Sequence, residues 1–200
     1  MPRFNLANRI TLIRLLFALV ALVFLTIIQE SIAFPLARST TAWVCITFFI
    51  LATALDGLDG YIARRDNTVT AFGRIADPFV DKAVVGGSLI YLAVIPETAA
   101  YLRPWMVAAI LIREFLVNGI RGYMESQGIQ FAAVMTGKVK MVLQSLLVGF
   151  LMGVIAFQPE VPWWVHFTSV ILVWSTVALT LYSGFVYVQR AARNLGSSDI

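Results

Sequence analysis

Residues 56–81 read DGLDGYIARRDNTVTAFGRIADPFVD, and the reading of this stretch decides what the rest of the chain is for. Four of its aspartates, Asp56, Asp59, Asp77 and Asp81, stand in a sequence that is 60% hydrophobic. An ionisable group at membrane depth costs on the order of a few kcal/mol unless it is paired or lines a polar cavity, so such a concentration of acids marks a site. The spacing predicts two helices joined by a short turn. Asp56, Asp59, Gly60 and Ala63 follow i, i+3, i+4, i+7 and share one helical face. Gly73, Asp77 and Asp81 follow i, i+4, i+8 and share a face of the next. With those faces opposed, antiparallel helices bring the four carboxylates together beside small residues.

Carboxylates that close raise one another's pKa and resist ionisation, so the arrangement calls for a cation. Hard oxygen donors suit Mg²⁺ or Mn²⁺, and a pair of such ions is a common clamp for displacement at phosphorus. Gly60, Ala63 and Gly73 leave room for a ligand or a backbone to approach. Arg64 can hold a phosphate through a forked pair of hydrogen bonds. The plainer alternative is that the acids cap helix ends or pair with Arg64, Arg65, Arg74 and Lys82 on a solvated rim. Capping, however, does not require two faces of small residues and carboxylates in register.

Asp56, Asp59, Gly60, Ala63, Arg64, Gly73, Asp77 and Asp81 reproduce the signature of the CDP-alcohol phosphotransferase family, which this stretch therefore resembles. The resemblance implies an all-α membrane fold in which an alcohol displaces CMP from a CDP-alcohol. It implies that Asp56, Asp59, Asp77 and Asp81 are metal ligands, with Asp81 also the catalytic base. Gly60, Ala63, Arg64, Thr70 and Gly73 are then expected to contact the CDP-lipid, and a homodimer is expected.

The remainder of the sequence sets the frame. Two hundred residues, 13% of them charged, with a mean hydropathy of +0.84, place the chain among polytopic membrane proteins. A soluble domain of this length would need more surface charge. Six spans are expected at about 9–28, 41–63, 73–95, 104–124, 138–157 and 163–188, each near the roughly 20 residues that cross a bilayer. They account for nearly the whole chain, so one domain over 1–200 is expected. With the amino terminus inside, Arg3, Arg9, Arg64, Arg65, Arg74, Arg121, Lys138, Lys140, Arg190 and Arg193 lie at cytoplasmic ends, against Arg38 and Arg103 outside. By the positive-inside rule both termini and the acidic motif face the cytoplasm. Trp43, Trp105, Trp163 and Trp164 fall at the opposite ends, as an aromatic belt would have them. The net charge of +4 then favours anionic headgroups over nucleic acid.

The first apolar run is longer than a usual signal core, contains Arg14 and lacks a small-residue cleavage site, so it reads as a permanent helix. Asn8, Thr11 and Arg14 form roughly one stripe near its start. A cap, a back-bonded hydroxyl and a snorkelling arginine would explain them equally. The Asn-x-x-Thr-x-x-Arg pattern resembles that of bacterial glycerophosphate-using family members and implies a role near the nucleotide. Solitary Cys45 reads as core and solitary His166 as interfacial. Pro35, Pro96, Pro159 and Pro162 read as helix breakers in outer turns.

Arg113 and Glu114 fall near the middle of an apolar helix, where a charge needs a partner or a wet cavity. One reading is an internal Arg113–Glu114 pair. The other is a basic pocket for an anionic acceptor, built from Arg113, Arg121, Lys138 and Lys140. IREFLVNGIRGYMESQG and GKVKMVLQ resemble the phosphatidylglycerophosphate-synthase branch of the family. The last helix adds nothing diagnostic.

The expected function is transfer of the phosphatidyl group of CDP-diacylglycerol to glycerol 3-phosphate in phospholipid biosynthesis, at the inner face of a bacterial cytoplasmic membrane. Inositol phosphate, or phosphatidylglycerol to give cardiolipin, are alternative acceptors. A divalent-cation transporter is the alternative from another class. Its site is expected near the midplane with polar routes to both faces, whereas here the acids lie at one end.

Overall fold

The computed structural model describes residues 6–30, 35–65, 71–127 and 135–196, with side chains described except at 6–9, 35–36, 56–65, 71–78, 81, 135–138 and 194–196. The regular elements are all helices: α1 (Leu6–Glu30), α2 (Pro35–Arg65), α3 (Ala71–Leu92), a single turn α4 (Pro96–Ala99), α5 (Pro104–Ser126), α6 (Met135–Ala156) and α7 (Trp163–Gly196). Long apolar runs fold this way because lipid offers no partner for backbone N–H and C=O groups, and a helix satisfies them internally. Pro35, Pro96 and Pro104 each open a helix. That corrects the reading of Pro35 and Pro96 as breakers alone: at a first helical position the missing N–H costs nothing.

Among the described residues, four helical segments are long and apolar enough to cross a membrane: Ile10–Glu30, Ala37–Leu55, Val139–Ala156 and Trp163–Arg193. With 23 residues, α5 reaches roughly 35 Å at 1.5 Å per residue, and Arg113, Glu114 and Arg121 interrupt its apolar run. The described side chains of α3 include a shorter apolar segment, Lys82–Leu92.

α1 packs along α2 and α3, α2 against α6, α6 against α7, and α5 against α7, while α3 touches α5 and α6 more lightly. One buried cluster joins α1 (Leu25, Ile28), α2 (Cys45, Phe49), α3 (Leu89, Leu92), α5 (Ile110), α6 (Leu151, Met152) and α7 (Val173). Cys45 is core, as expected, and its thiol donates to the Ala21 carbonyl at 3.3 Å. Close approach of α3 depends on paired glycines: a Cβ at Gly86 would come 3.0 Å from Leu111 Cδ2, and one at Gly87 3.0 Å from Leu22 Cδ2. Small residues at such crossings let helices approach where lipid supplies no hydrophobic drive.

The two ends of the bundle differ chemically. At one, Phe157 meets Trp43 edge-on at 5.1 Å and Trp164 at 6.2 Å, which brings together the start of α2, the end of α6 and the start of α7. Buried Arg38 bonds Glu97 of α4 at 2.6 Å there. Tyr101 Oη lies 2.6 Å from His166 Nδ1. Burial raises the Tyr101 phenol above its ordinary value. His166 thus has a structural partner at the aromatic end, while the charged residues of α3, α5 and α6 gather toward the other.

Candidate active site

Between α2, α3, α5 and α6 lies a cavity of about 1240 Å³. Its described charged lining consists of Arg14, Lys82, Arg113, Arg121, Lys140 and Glu114, and Tyr187 of α7 also lines it. Helix periodicity produces the convergence. α5 turns Arg113 inward to 6% exposure while Ile112 and Phe115 stay exposed. α6 buries Lys140 while Val139 and Met141 remain exposed.

At the centre is Glu114. Lys140 Nζ donates to Glu114 Oε1, and Arg113 Nη1 donates to the same oxygen at a longer 3.4 Å. Adjacent residues on a helix do not face each other, so the weaker bond belongs to the sequence neighbour and the tighter one to another helix. Thus the internal Arg113–Glu114 pair exists, but as the lesser part of a three-group bridge. The Arg113 guanidinium also lies over the Tyr187 ring, 5.5 Å from its centroid. Its Nε and Nη2 are buried and have no hydrogen-bond partner among the described residues. Gln144 and Asn118 line the same space.

Of the candidate CDP-lipid residues on α1, Thr11 and Arg14 are 4% and 2% exposed, and Arg14 lines the cavity. Full burial excludes the snorkelling arginine that the sequence also allowed. Arg121 lines the cavity, but its side chain is half-exposed and bonds Glu125 at 2.9 Å, one turn along α5.

The backbones of Asp56, Asp59, Gly60, Ala63 and Arg64 continue α2 beyond Thr53, and those of Gly73, Asp77 and Asp81 belong to α3 just before Lys82. Thr53 and Lys82 both line the cavity, so the signature extends directly from two of its walls. The side chains of these residues, and those of Asn8 and Lys138, lie outside the described residues, as does Thr70 altogether. Among the described residues no three His, Cys, Asp or Glu side chains cluster in a metal-binding arrangement.

Three contributors were not foreseen from sequence. Glu114 was visible there only as a partner for its neighbour. Gly184 and Tyr187 belong to α7, which carried no recognisable pattern, yet α7 touches Arg113 through both. The available signal was their i, i+3 spacing, which puts a glycine and an aromatic on one face.

Comparison with known proteins agrees with the geometry. A relative from Bacillus subtilis (strain 168) is 34% identical over 98% of this chain and its own full length, and is named CDP-diacylglycerol–glycerol-3-phosphate 3-phosphatidyltransferase. A Rickettsia bellii protein of the same name is 32% identical over 94% of this chain and 96% of its own. A Mycobacterium tuberculosis protein, 31% identical over 96% of this chain and 84% of its own, is named probable phosphatidylglycerophosphate synthase. The sequence model described as CDP-alcohol phosphatidyltransferase matches residues 4–182, which takes in α1 to α6 and the first part of α7. The chain belongs to the CDP-alcohol phosphatidyltransferase family.

Proposed function

We propose that this chain transfers the phosphatidyl group of CDP-diacylglycerol to glycerol 3-phosphate, releasing CMP and forming phosphatidylglycerol phosphate. The observation that carries the reading is the buried basic group Arg14, Arg113 and Lys140 in the wall of a cavity whose α2 and α3 sides continue into the aspartate signature. Arginine and lysine side chains bind phosphate oxygens by charge-assisted hydrogen bonds, and these two substrates bring a diphosphate and a phosphate monoester. The relatives' names supply the identity of the pair. Phe79, Ile90 and Phe115 line the cavity and are also exposed, so its apolar side suits a lipid whose acyl chains stay in the bilayer.

Four carboxylates on α2 and α3 are a hard oxygen donor set, which fits Mg²⁺ or Mn²⁺, and two ions are proposed on Asp56, Asp59, Asp77 and Asp81. Bound there, the ions supply charge neutralisation for the diphosphate. Asn8, Thr11, Arg14, Gly60, Ala63, Arg64, Thr70 and Gly73 hold the nucleotide lipid, while Arg113, Arg121, Lys138 and Lys140 grip the acceptor phosphate. Asp81 accepts the proton of the free primary hydroxyl. The oxygen forms a bond to the β-phosphorus as the bond from that phosphorus to the CMP oxygen breaks, and Arg64 balances the charge that builds.

The proposal includes a six-span topology in which α3 and α5 join the four long apolar helices. Both termini and the site face the cytoplasm of a bacterial cell membrane, a single domain covers 1–200, and the chain forms a homodimer. The distribution of basic residues supports the orientation. The test is CMP release by the purified chain from radiolabelled CDP-diacylglycerol in mixed micelles. Release that requires both glycerol 3-phosphate and a divalent cation is expected. Release without an acceptor would mark a hydrolase and overturn the proposal.

A further inference from the structure

Arg113 is held from a direction the family signature does not reach. Its stem crosses α7 at Gly184, where a Cβ would come 3.0 Å from Arg113 Cγ, so any larger residue must push the stem aside. One turn on, the Tyr187 ring lies under the guanidinium, 5.5 Å from centroid to charge. Tyr187 is itself fixed, 5% exposed in a cluster with Val117, Met124 and Ala191, so the platform does not follow solvent. Glu114 occupies Nη1. What remains of the guanidinium is the Nε–Nη2 edge, two parallel N–H donors buried without an acceptor among the described residues. A buried donor left without a partner is rare and needs a reason. This edge matches two oxygens of one phosphate, and it belongs to a residue that lines the cavity.

We infer that Gly184 and Tyr187 are positioning residues for the acceptor, fixing the Arg113 stem and the plane of its guanidinium so that the Nε–Nη2 edge takes the acceptor phosphate. The inference rests on the reading of Arg113 as an acceptor-phosphate residue. It adds α7 to the site and makes acceptor affinity depend on a ring that acts through Arg113.

The test is steady-state kinetics on the full chain in mixed micelles, with each substrate varied in turn. Tyr187→Leu removes the cationic platform, a contact whose loss corresponds to about a three- to thirty-fold change. The KM for glycerol 3-phosphate is expected to rise by that factor while the KM for CDP-diacylglycerol stays within about twofold. Tyr187→Phe, which keeps the ring, is expected to restore the acceptor KM to within about threefold of the parent. Gly184→Ala, the smallest displacement of the stem, is expected to give the same selective defect and carries the test should Tyr187→Leu fail to fold. Equal rises in both KM values, or no recovery with Tyr187→Phe, would show a merely structural role and overturn the inference. Arg113→Gln separates the two layers. A selective acceptor defect there with none in the α7 variants sinks the positioning role alone, whereas no selective defect in Arg113→Gln sinks the acceptor reading beneath it.

Discussion

Removing the carboxylate of Glu114 should destabilise the protein more than removing any other described acid. In the intact chain that one group faces two cations, with side-chain exposures of 15% for Glu114, 7% for Arg113 and 8% for Lys140. Deleting one partner of a buried ion pair costs about 3–5 kcal/mol, because the remaining charge is left without compensation. The adjoining cavity admits some hydration, which argues for the low end, about 3 kcal/mol. For a chain of this size, roughly 2–4 °C of melting temperature accompany each kcal/mol, so Glu114→Ala is expected to lower Tm by roughly 6–12 °C. Five tryptophans report the transition by fluorescence in detergent. A second variant isolates the cause: Glu114→Leu combined with Lys140→Met replaces the pair by apolar groups, and such replacement is often neutral. It should recover at least about half of the loss. A Glu114→Ala Tm within about 1 °C of the parent, or a double variant less stable than the single, would refute the reasoning.

Other outcomes follow from the same geometry. Asp81→Asn should reduce turnover by at least about a hundredfold, the usual contribution of a general base; near-normal turnover with metal still bound would place the base elsewhere. Lys140→Met should raise the KM for glycerol 3-phosphate at least about tenfold, and Arg121→Gln by only about threefold, because exposed pairs contribute little and Arg121 is half-exposed on Glu125; the reverse order in steady-state kinetics would contradict the burial argument. Chelation should abolish CMP release, with recovery on Mg²⁺ or Mn²⁺ and none on Ca²⁺, whose longer bonds and higher coordination number suit the site less well; activity unaffected by chelator would remove the metal from the account.

Much of this molecule could be read along the chain because two strong regularities are local. Apolar runs of helical length located every long helix, and the i, i+3, i+4 spacing of Asp56, Asp59 and Gly60 assigned the signature to α2, with Asp77 and Asp81 in α3. The burial of Arg14 and Arg113 also follows from placing a charge inside an apolar helix. What could not be read depends on contacts between helices distant in sequence. Glu114 pairs more tightly with Lys140, 26 positions away, than with its neighbour, and nothing in either local pattern announces this. Gly184 and Tyr187 look like ordinary residues of a long apolar helix until α5 packs across them. Arg121 shows the converse: one charge among several by sequence, it sits half-exposed at the cavity and bonds its own helix.

The most direct test of the central claim is an acceptor screen with the purified chain and radiolabelled CDP-diacylglycerol, supplying glycerol 3-phosphate, inositol phosphate and phosphatidylglycerol in turn. The account predicts phosphatidylglycerol phosphate as the labelled product, formed efficiently only with glycerol 3-phosphate. Preferential labelling of cardiolipin, whose lipid acceptor has less use for the buried cations of α5 and α6, or of an inositol lipid, would contradict it.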